Sequence, residues 1–177
     1  MNTKKFFQII LAVIFTLSAV ASSMAPVSAA TKIDVVTKKL EYQKSTDIST
    51  RNAGVYFPNS AYTATATLTR LDLTAADRAS AKKLTFTQPW LDIRLHDSNG
   101  KEFRKVLGIV YVYFNLGVED RATWDKGKLS IYYYDTLKKS WVECPSRLLT
   151  DKGSSGYGRI SCLVTEGFGR YGMAIKR

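Results

Sequence analysis

The chain has 177 residues and a formal net charge of +11, from 26 Lys and Arg against 15 Asp and Glu. Its basic residues are scattered singly and in pairs, so the chain lacks the dense block typical of nucleic-acid binding or nuclear targeting. Two cysteines without a set of histidines are too few for a structural zinc site.

Residues 1–29 have the three parts of a signal peptide. A start with two lysines precedes the apolar run 6–21, and small residues at 27–29 favour cleavage after Ala29 or Ala30. The run is shorter than the roughly 20 apolar residues that a membrane-spanning helix needs, which argues against a retained anchor. We therefore expect a secreted or surface-exposed protein with no transmembrane segment after cleavage. Removing residues 1–29 leaves 148 residues with a charge of +9, a length that fits one domain with a core.

The polar stretch 30–53 is rich in lysine and is predicted to be a lead-in to the domain. Its one apolar patch, residues 33–36, fits an edge strand. From residue 54 the pattern becomes that of β-strands, and residues 54–177 are assigned to a single β domain.

The first part of this domain predicts two strands and a helix. Residues 54–58 form a short strand that ends at a proline. Residues 61–73 alternate threonine with apolar residues, which is the period of a half-buried strand. Residues 74–83 are the best helical stretch, with Thr74 as a candidate N-cap, and they predict one short helix.

A hairpin is predicted next. Leu91, Ile93 and Leu95 alternate with polar residues, as in a half-buried strand. Residues 97–100 end in Asn-Gly, which supplies the positive φ angles of a tight turn. The return strand is predicted over 106–114, where a continuous β-branched and aromatic run favours a central position in a sheet.

The rest of the chain continues this pattern. Residues 117–128 are predicted to be a charged connection. Strands follow at 129–134, from Trp141 onward, at 159–164 and at 171–175. The predicted fold class is all-β, an antiparallel β-sandwich of about eight short strands with at most one short helix.

Cys144 and Cys162 are predicted to form a disulfide, because a pair of cysteines outside the cytoplasm is usually oxidised. Both lie in strand-like segments, with the turn-rich stretch 150–156 between them. In a hairpin folded about Gly153, the two cysteines lie opposite each other. A disulfide that closes such a loop contributes about 3 kcal/mol.

Several segments occur in the order found in a known β-sandwich. Residues 54–61 read Gly-Val-Tyr-Phe-Pro-Asn-Ser-Ala, a strand that ends in proline before a small residue and alanine. A strand, a turn, a tryptophan, a hairpin and a final aromatic strand then follow at 129–135, 141–142, 159–164 and 168–174. Together, over about residues 54–175, they resemble the β-sandwich domain shared by zonula occludens proteins, netrin receptors and ankyrins, which also occurs in bacterial surface and secreted proteins.

This resemblance implies a sandwich fold and, because the family is generally non-catalytic, no active-site residues. One step differs from the family. Where the family often has a His-Phe-Ser-like sequence before the last strand, residues 166–170 are Glu-Gly-Phe-Gly-Arg. By analogy with sandwich tryptophans, Trp141 is expected in the core.

No catalytic, cofactor-binding or metal-ligating residue is predicted. His96 is the one histidine, and its place on the polar face of a strand beside a turn is typical of an exposed side chain rather than a catalytic base. The acidic residues are dispersed, so nothing selects a carboxylate pair for glycoside hydrolysis or a calcium loop. The glycines at 167, 169 and 172 do not lie between a strand and a helix, as a dinucleotide site requires.

The aromatic residues are the remaining signal. Tyr111 and Tyr113 share one face of a strand, and in the run of three tyrosines that includes Tyr133 at least one ring faces outward. Trp90 and Trp124 lie near proline and charged residues, which makes them candidates for surface contact. Such rings beside lysines stack on sugar rings or bases and contact anionic groups. The alternative is that the tyrosines belong to the sandwich and only place their hydroxyls at the sheet margin.

Three functions remain open. The first is a non-enzymatic binding or structural module that contacts a protein or an envelope component. The second is a binder of carbohydrate, acidic polysaccharide or another anionic polymer, which uses exposed Tyr and Trp rings with Lys. The third, with the least support, is a secreted hydrolase.

Overall fold

Thirteen β-strands and one helix make up the described part of the chain. The computed structural model describes residues 31–74, 81, 83–149 and 157–177. The predicted signal peptide at 1–29 lies outside these residues, and no helix within them is long and apolar enough to cross a membrane. The elements are β1 (Lys32–Leu40), β2 (Thr46–Ser49), β3 (Ala53–Phe57), β4 (Ala64–Leu71), β5 (Leu84–Phe86), β6 (Trp90–His96), β7 (Glu102–Phe103), β8 (Tyr111–Asn115), α1 (Val118–Asp125), β9 (Leu129–Asp135), β10 (Ser140–Cys144), β11 (Ser146–Leu149), β12 (Arg159–Leu163) and β13 (Arg170–Lys176).

The strands form two antiparallel sheets, which confirms the predicted all-β, sandwich-like fold. The large sheet has eight strands in the order β1-β4-β6-β13-β9-β10, with β5 paired to β13 and β7 paired to β6. The small sheet has five strands in the order β11-β12-β8-β3-β2. The inner faces of both sheets contribute to one hydrophobic core.

Alternation along the strands decides which side chains enter this core. In β6 the side chains of Leu91, Ile93 and Leu95 are buried and the intervening residues are not, as predicted. Val112 and Phe114 of β8 fill the small sheet's side of the core. The remaining residues of β8 therefore face away from the large sheet.

The stretch expected as a polar lead-in contributes one strand to each sheet. β1 contains the apolar patch at 33–36 and forms an edge of the large sheet beside β4, as predicted. β2 forms an edge of the small sheet beside β3. Regular β structure therefore begins at Lys32, ahead of the expected start at residue 54.

The hairpin turn predicted at 97–100 joins β6 to β7. The backbone N–H of Asp97 donates to the carbonyl of Lys101 at 3.0 Å and closes the turn. Gly100, at the tip of the turn, has a φ of 77°. The predicted return strand is wrong, because the strand after the turn covers only Glu102–Phe103 and residues 104–110 then lead the chain to the small sheet. β8, which follows, is the middle strand of that sheet, in agreement with the predicted central position.

Helix α1 lies in the connection that was predicted only as charged. The backbone N–H of Gly117 donates to Oδ2 of Asp120 at 3.2 Å, and Arg121 pairs with Asp125 at 3.0 Å one turn later. These polar contacts favour a helix where apolar periodicity does not predict one. The short helix predicted at 74–83 falls mostly on residues outside the described part of the chain.

Cys144 and Cys162 form the predicted disulfide, with their Cα atoms 5.9 Å apart. The hairpin expected to carry it is not the one observed, because Cys144 ends β10 in the large sheet while Ser146 of β11 is the residue opposite Cys162. Pro145 lies between these two strands, where the chain passes from one sheet to the other. The disulfide therefore joins the two sheets at this corner. The turn expected at 150–156 lies outside the described residues.

Candidate functional site

The outer face of the small sheet carries the candidate site. Residues that alternate with the core positions face away from the large sheet, and the register of the strands aligns them in rows across the sheet. The first row is Leu163, Tyr111, Tyr56 and Asp47, and the second row is Arg147, Ser161, Tyr113, Gly54 and Ser49. A ligand that lies across the strands therefore meets side chains from all five of them.

The ring of Tyr113 lies against β3 because Gly54 beside it has no side chain. A Cβ atom at position 54 would overlap the Tyr113 hydroxyl and lie 2.5 Å from its Cζ. The ring crosses the strand, its hydroxyl donates to Oδ1 of Asp47 at 2.7 Å, and only 4% of the residue is exposed. Burial, followed by the hydrogen bond to Asp47, raises the pKa of Tyr113 well above its ordinary value. Tyr113 therefore provides an uncharged aromatic surface of fixed position at the base of the site.

The guanidinium of Arg159 stacks on the Tyr113 ring, with Cζ 4.1 Å from the ring centroid. The Nε atom of Arg159 is buried and has no hydrogen-bond partner among the described residues. Neither Arg159 nor Arg147 forms an ion pair within the part of the chain that the structure describes. Among the described residues no carboxylate pairs with either cation, and an acceptor at Nε of Arg159 would remove an unsatisfied donor that costs about 1–3 kcal/mol.

A cavity of about 540 Å³ opens over these rows. A hollow of about 380 Å³ adjoins it and shares Tyr111, Arg147 and Ser161 with it. We call the two together the tyrosine–arginine groove, defined by Tyr56, Tyr111, Tyr113, Arg147, Leu149 and Arg159. Among the described residues that line it, two arginines stand against one carboxylate, that of Asp47, so the groove is positively charged.

The side chains of the groove offer two kinds of contact. Tyr56, Leu149 and Leu163 are each more than a third exposed and supply apolar surface. Guanidinium groups are planar and weakly hydrated, and they bind carboxylate or phosphate through two parallel hydrogen bonds. The groove therefore fits a ligand that has both apolar faces and acidic groups.

Two of the five predicted contact aromatics, Tyr111 and Tyr113, lie in this groove. Tyr133 lies on the large sheet, where it is half-buried and its ring centroid is 5.1 Å from that of Tyr171. Trp124 lies on α1, half-buried and packed against the core. The fold therefore separates Tyr133 and Trp124 from the tyrosines of the groove.

Trp90 is only 1% exposed, so the expectation that it contacts a ligand at the surface is wrong. It lies on the side of β6 opposite to the core residues. There its ring packs against those of Phe86 and Trp141, at centroid distances of 5.3 and 4.9 Å. Arg170 covers the same ring at 4.8 Å. Because the covering rings come from β5 and β10, the burial of Trp90 depends on the pairing of strands in the sheet. Trp141 belongs to the same cluster and is half-buried.

Arg147 and Arg159 are the residues of the candidate site that sequence reasoning missed. Part of the signal was present, because Arg159 precedes Ile160 and alternation places it on the face opposite to that core residue. Its position over Tyr113 depends on the pairing of β12 with β8, which periodicity along one strand does not specify. The partnership of the arginines with the tyrosines therefore appears only in the folded chain.

The residues weighed for catalysis lie elsewhere. His96 is half-buried at the end of β6 in the large sheet and pairs across strands with Thr65 and Glu102. Asp92, also on β6, accepts a hydrogen bond from Arg94 at 2.9 Å. Among the residues described, no group of three or more His, Cys, Asp or Glu could hold a metal ion. The tyrosine–arginine groove is the candidate site on the basis of its own geometry.

Comparison with known proteins assigns no family to the chain. No protein-family model matches it, and no curated protein is significantly similar to it in sequence. Its function is therefore inferred from the chemistry of the groove.

Proposed function

We propose that the protein is a secreted or surface-exposed, non-enzymatic binding module whose ligand lies in the tyrosine–arginine groove. One observation carries this proposal: on one sheet face, two arginines that form no ion pair among the described residues stand beside three tyrosines. The disulfide supports an extracellular location, because such bonds persist in oxidising compartments. The signal-peptide pattern at 1–29 supports the same location.

A segment of acidic polysaccharide fits these groups best. Its carboxylates suit the guanidinium groups of Arg147 and Arg159, and the apolar faces of its sugar rings suit the rings of Tyr56, which is exposed, and Tyr111, which is half-buried. The groove crosses five strands that are spaced about 4.8 Å apart, so it extends over about 19 Å. That length suits a short stretch of polymer better than a single sugar.

A protein partner is the second candidate. Leu149 and Leu163 are exposed at the groove, and apolar surface of this kind is common where proteins bind one another. A protein ligand would depend mainly on these leucines, whereas an acidic polysaccharide would depend mainly on Arg147 and on Tyr111. Salt also separates the two candidates. Binding of an acidic polysaccharide should weaken as ionic strength rises, because exposed charge interactions are screened, whereas binding through the leucines should not.

The non-enzymatic part of the proposal has support of its own. The resemblance of residues 54–175 to the sandwich domain of zonula occludens proteins, netrin receptors and ankyrins favours it, since that family is generally non-catalytic. A secreted hydrolase keeps the least support, because His96 and Asp92 lie on the large sheet rather than in the groove.

Titration of the exported protein with a polyuronate oligosaccharide, followed by calorimetry, tests the proposal. Arg147→Gln removes one guanidinium from an exposed position and should weaken binding at least tenfold. A hydrogen bond to a charged group contributes about 1.5–3 kcal/mol, and each 1.4 kcal/mol changes affinity about tenfold. Tyr111→Ala should weaken binding through the loss of stacking. Lys176→Gln is the matched control, because it removes the same charge from an exposed position on the large sheet and should change affinity less than twofold.

A neutral glucan oligosaccharide of the same length should bind much more weakly than the polyuronate. Failure of the wild type to bind the polyuronate even at low salt would rule out the polysaccharide candidate. Equal affinity of the wild type and Arg147→Gln would place the binding surface away from the groove.

A further inference from the structure

Three loops meet at one end of the sandwich, and two of them carry exposed apolar side chains. They are residues 41–45 between β1 and β2, 58–63 between β3 and β4, and 104–110 between β7 and β8. Together they line a hollow of about 270 Å³. Tyr42 is 61% exposed, Leu107 47% and Ile109 54%, and we call these three residues the apolar loop tip.

Backbone hydrogen bonds join the first two of these loops to each other. The backbone N–H of Gln43 donates to the carbonyl of Ser60 at 2.8 Å, and the N–H of Ser60 donates to the carbonyl of Lys44 at 3.0 Å. The loop at 104–110 is held by the hydroxyl of Tyr62. The first two loops therefore support each other through backbone contacts that do not depend on the exposed side chains.

Tyr62 is buried, and its ring contacts those of Phe57, Phe103 and Phe168 in the core. Its hydroxyl accepts a hydrogen bond from the backbone N–H of Leu107 and donates to the carbonyl of Lys105 at 3.2 Å. A buried aromatic ring thus fixes the backbone on which Leu107 is exposed. The exposure of Leu107 is therefore a feature of the folded domain.

The charge around the apolar loop tip is positive. Residues 39–45, 58–63 and 104–110 contain four basic side chains and one acidic side chain. The acidic one, Glu41, pairs with Lys44. Lys39 and Lys105 are exposed and form no ion pair in the described ranges. Both therefore remain available to an external anion.

We propose that the apolar loop tip docks the protein on an anionic lipid bilayer. Tyr42, Leu107 and Ile109 enter the interface at the level of the headgroups, where tyrosine rings and apolar side chains are favoured. Lys39 and Lys105 contact the acidic headgroups from the side. The contact is peripheral. The tyrosine–arginine groove lies on the neighbouring face of the small sheet and begins beside these loops, where the hydroxyl of Ser45 donates to that of Tyr56 at 3.3 Å.

Charge favours a bilayer over the other surfaces that could cover these residues. A second copy of the chain would bring Lys39 and Lys105, which form no ion pair among the described residues, against themselves, which is repulsive. A basic protein that exposes apolar side chains on separate loops matches a surface that is both apolar and negatively charged. An anionic bilayer offers both properties over an extended area.

Sedimentation of the exported protein with vesicles tests this proposal. One set of vesicles contains phosphatidylcholine alone and the other contains phosphatidylcholine with phosphatidylglycerol. The wild type should bind the anionic vesicles and bind the neutral ones at least tenfold more weakly. The double variant Leu107→Ser/Ile109→Ser should lower the partition coefficient for anionic vesicles at least tenfold, and Lys105→Gln should lower it severalfold.

Val118→Ser is the matched control, because Val118 is an exposed apolar residue on α1 outside these loops, and the variant should bind within twofold of the wild type. Thermal unfolding of each variant verifies that the fold is intact, since the serines replace exposed side chains and keep the backbone contacts of Tyr62. The proposal is overturned if the wild type does not sediment with anionic vesicles, or if the double variant sediments as well as the wild type. It is also overturned if light scattering shows that the same substitutions abolish self-association instead. Polyuronate binding is measured separately, so either result leaves the proposed function of the groove to its own test.

Discussion

Replacing Gly54 with alanine should both destabilise the domain and disturb the tyrosine–arginine groove. The new Cβ would lie 2.5 Å from Cζ of Tyr113 and 2.6 Å from the backbone oxygen of Ile48. A rotation of the tyrosine would relieve only the first contact. The second involves backbone, so β2 would also have to shift away from β3.

The expected size of the effect follows from what Tyr113 loses when its ring is displaced. Its hydrogen bond to the charged Asp47 contributes about 1.5 kcal/mol, its cation–π contact with Arg159 about 0.7 kcal/mol, and the burial of its ring at least about 1.5 kcal/mol. The lower conformational entropy of alanine in the unfolded chain returns about 0.7 kcal/mol. The net loss is about 3 kcal/mol, which for a domain of this size lowers Tm by about 9 °C.

Denaturant unfolding of the exported protein measures this loss, and a double-mutant cycle assigns it. In the Tyr113→Ala background the added Cβ meets only the Ile48 oxygen, so Gly54→Ala should cost less there than in the wild type. A loss below about 1 kcal/mol in the wild type would refute the steric reasoning. An equal loss in both backgrounds would show that Gly54 does not serve to accommodate the Tyr113 ring.

Two further predictions can be tested without a ligand. One concerns the disulfide and the other the ionisation of the buried tyrosines. Replacing Cys144 and Cys162 with serine should lower the free energy of unfolding by about 3 kcal/mol, because the closed loop, with a separation of 18 residues, restricts the unfolded chain. Denaturant unfolding with and without reductant measures this, and an unchanged midpoint would contradict it. Stability should also fall as pH rises above 10, because burial raises the pKa of Tyr113 and Tyr171 above the ordinary value of 10.0 and the unfolded chain then releases its protons first. Unfolding measured between about pH 9 and pH 11 should show a shallower decline for Tyr113→Phe, and an equally steep decline would contradict the assignment.

Local pattern predicted the strands well where one face of each is buried. The alternation of Leu91, Ile93 and Leu95 predicted β6 and its inward side, and the continuous apolar run predicted the central place of β8. The same reasoning missed which sheet each strand joins. The true partner of β6 after the 97–100 turn is β7, which is only two residues long. The sequence therefore suggested that the next long strand was the partner of β6. Sheet membership depends on pairing between distant segments, which periodicity does not contain.

The candidate site was predictable to the same extent. Alternation placed Tyr111 and Tyr113 on one face, which the structure confirms, and period two also puts Arg159 on the outside of its strand. The stacking of Arg159 on Tyr113 arises from the register between β12 and β8. The burial of Trp90 arises in the same way from rings on other strands. Exposure of an aromatic residue is a property of the assembled sheets, so a neighbouring proline or charge is a poor guide to it.

The groove runs across the strands, so the contacts that decide its specificity come from separate strands. Each strand of the small sheet contributes between one and three side chains to the groove, from positions as distant in sequence as Asp47 and Arg159. Most of these positions point outward, so a change in one alters a single contact while the core beneath it stays in place. A short peptide cut from the chain would carry too few of these contacts to bind. The recognition surface exists only while all five strands are in register, and ligand affinity therefore reports directly on whether the small sheet is correctly assembled.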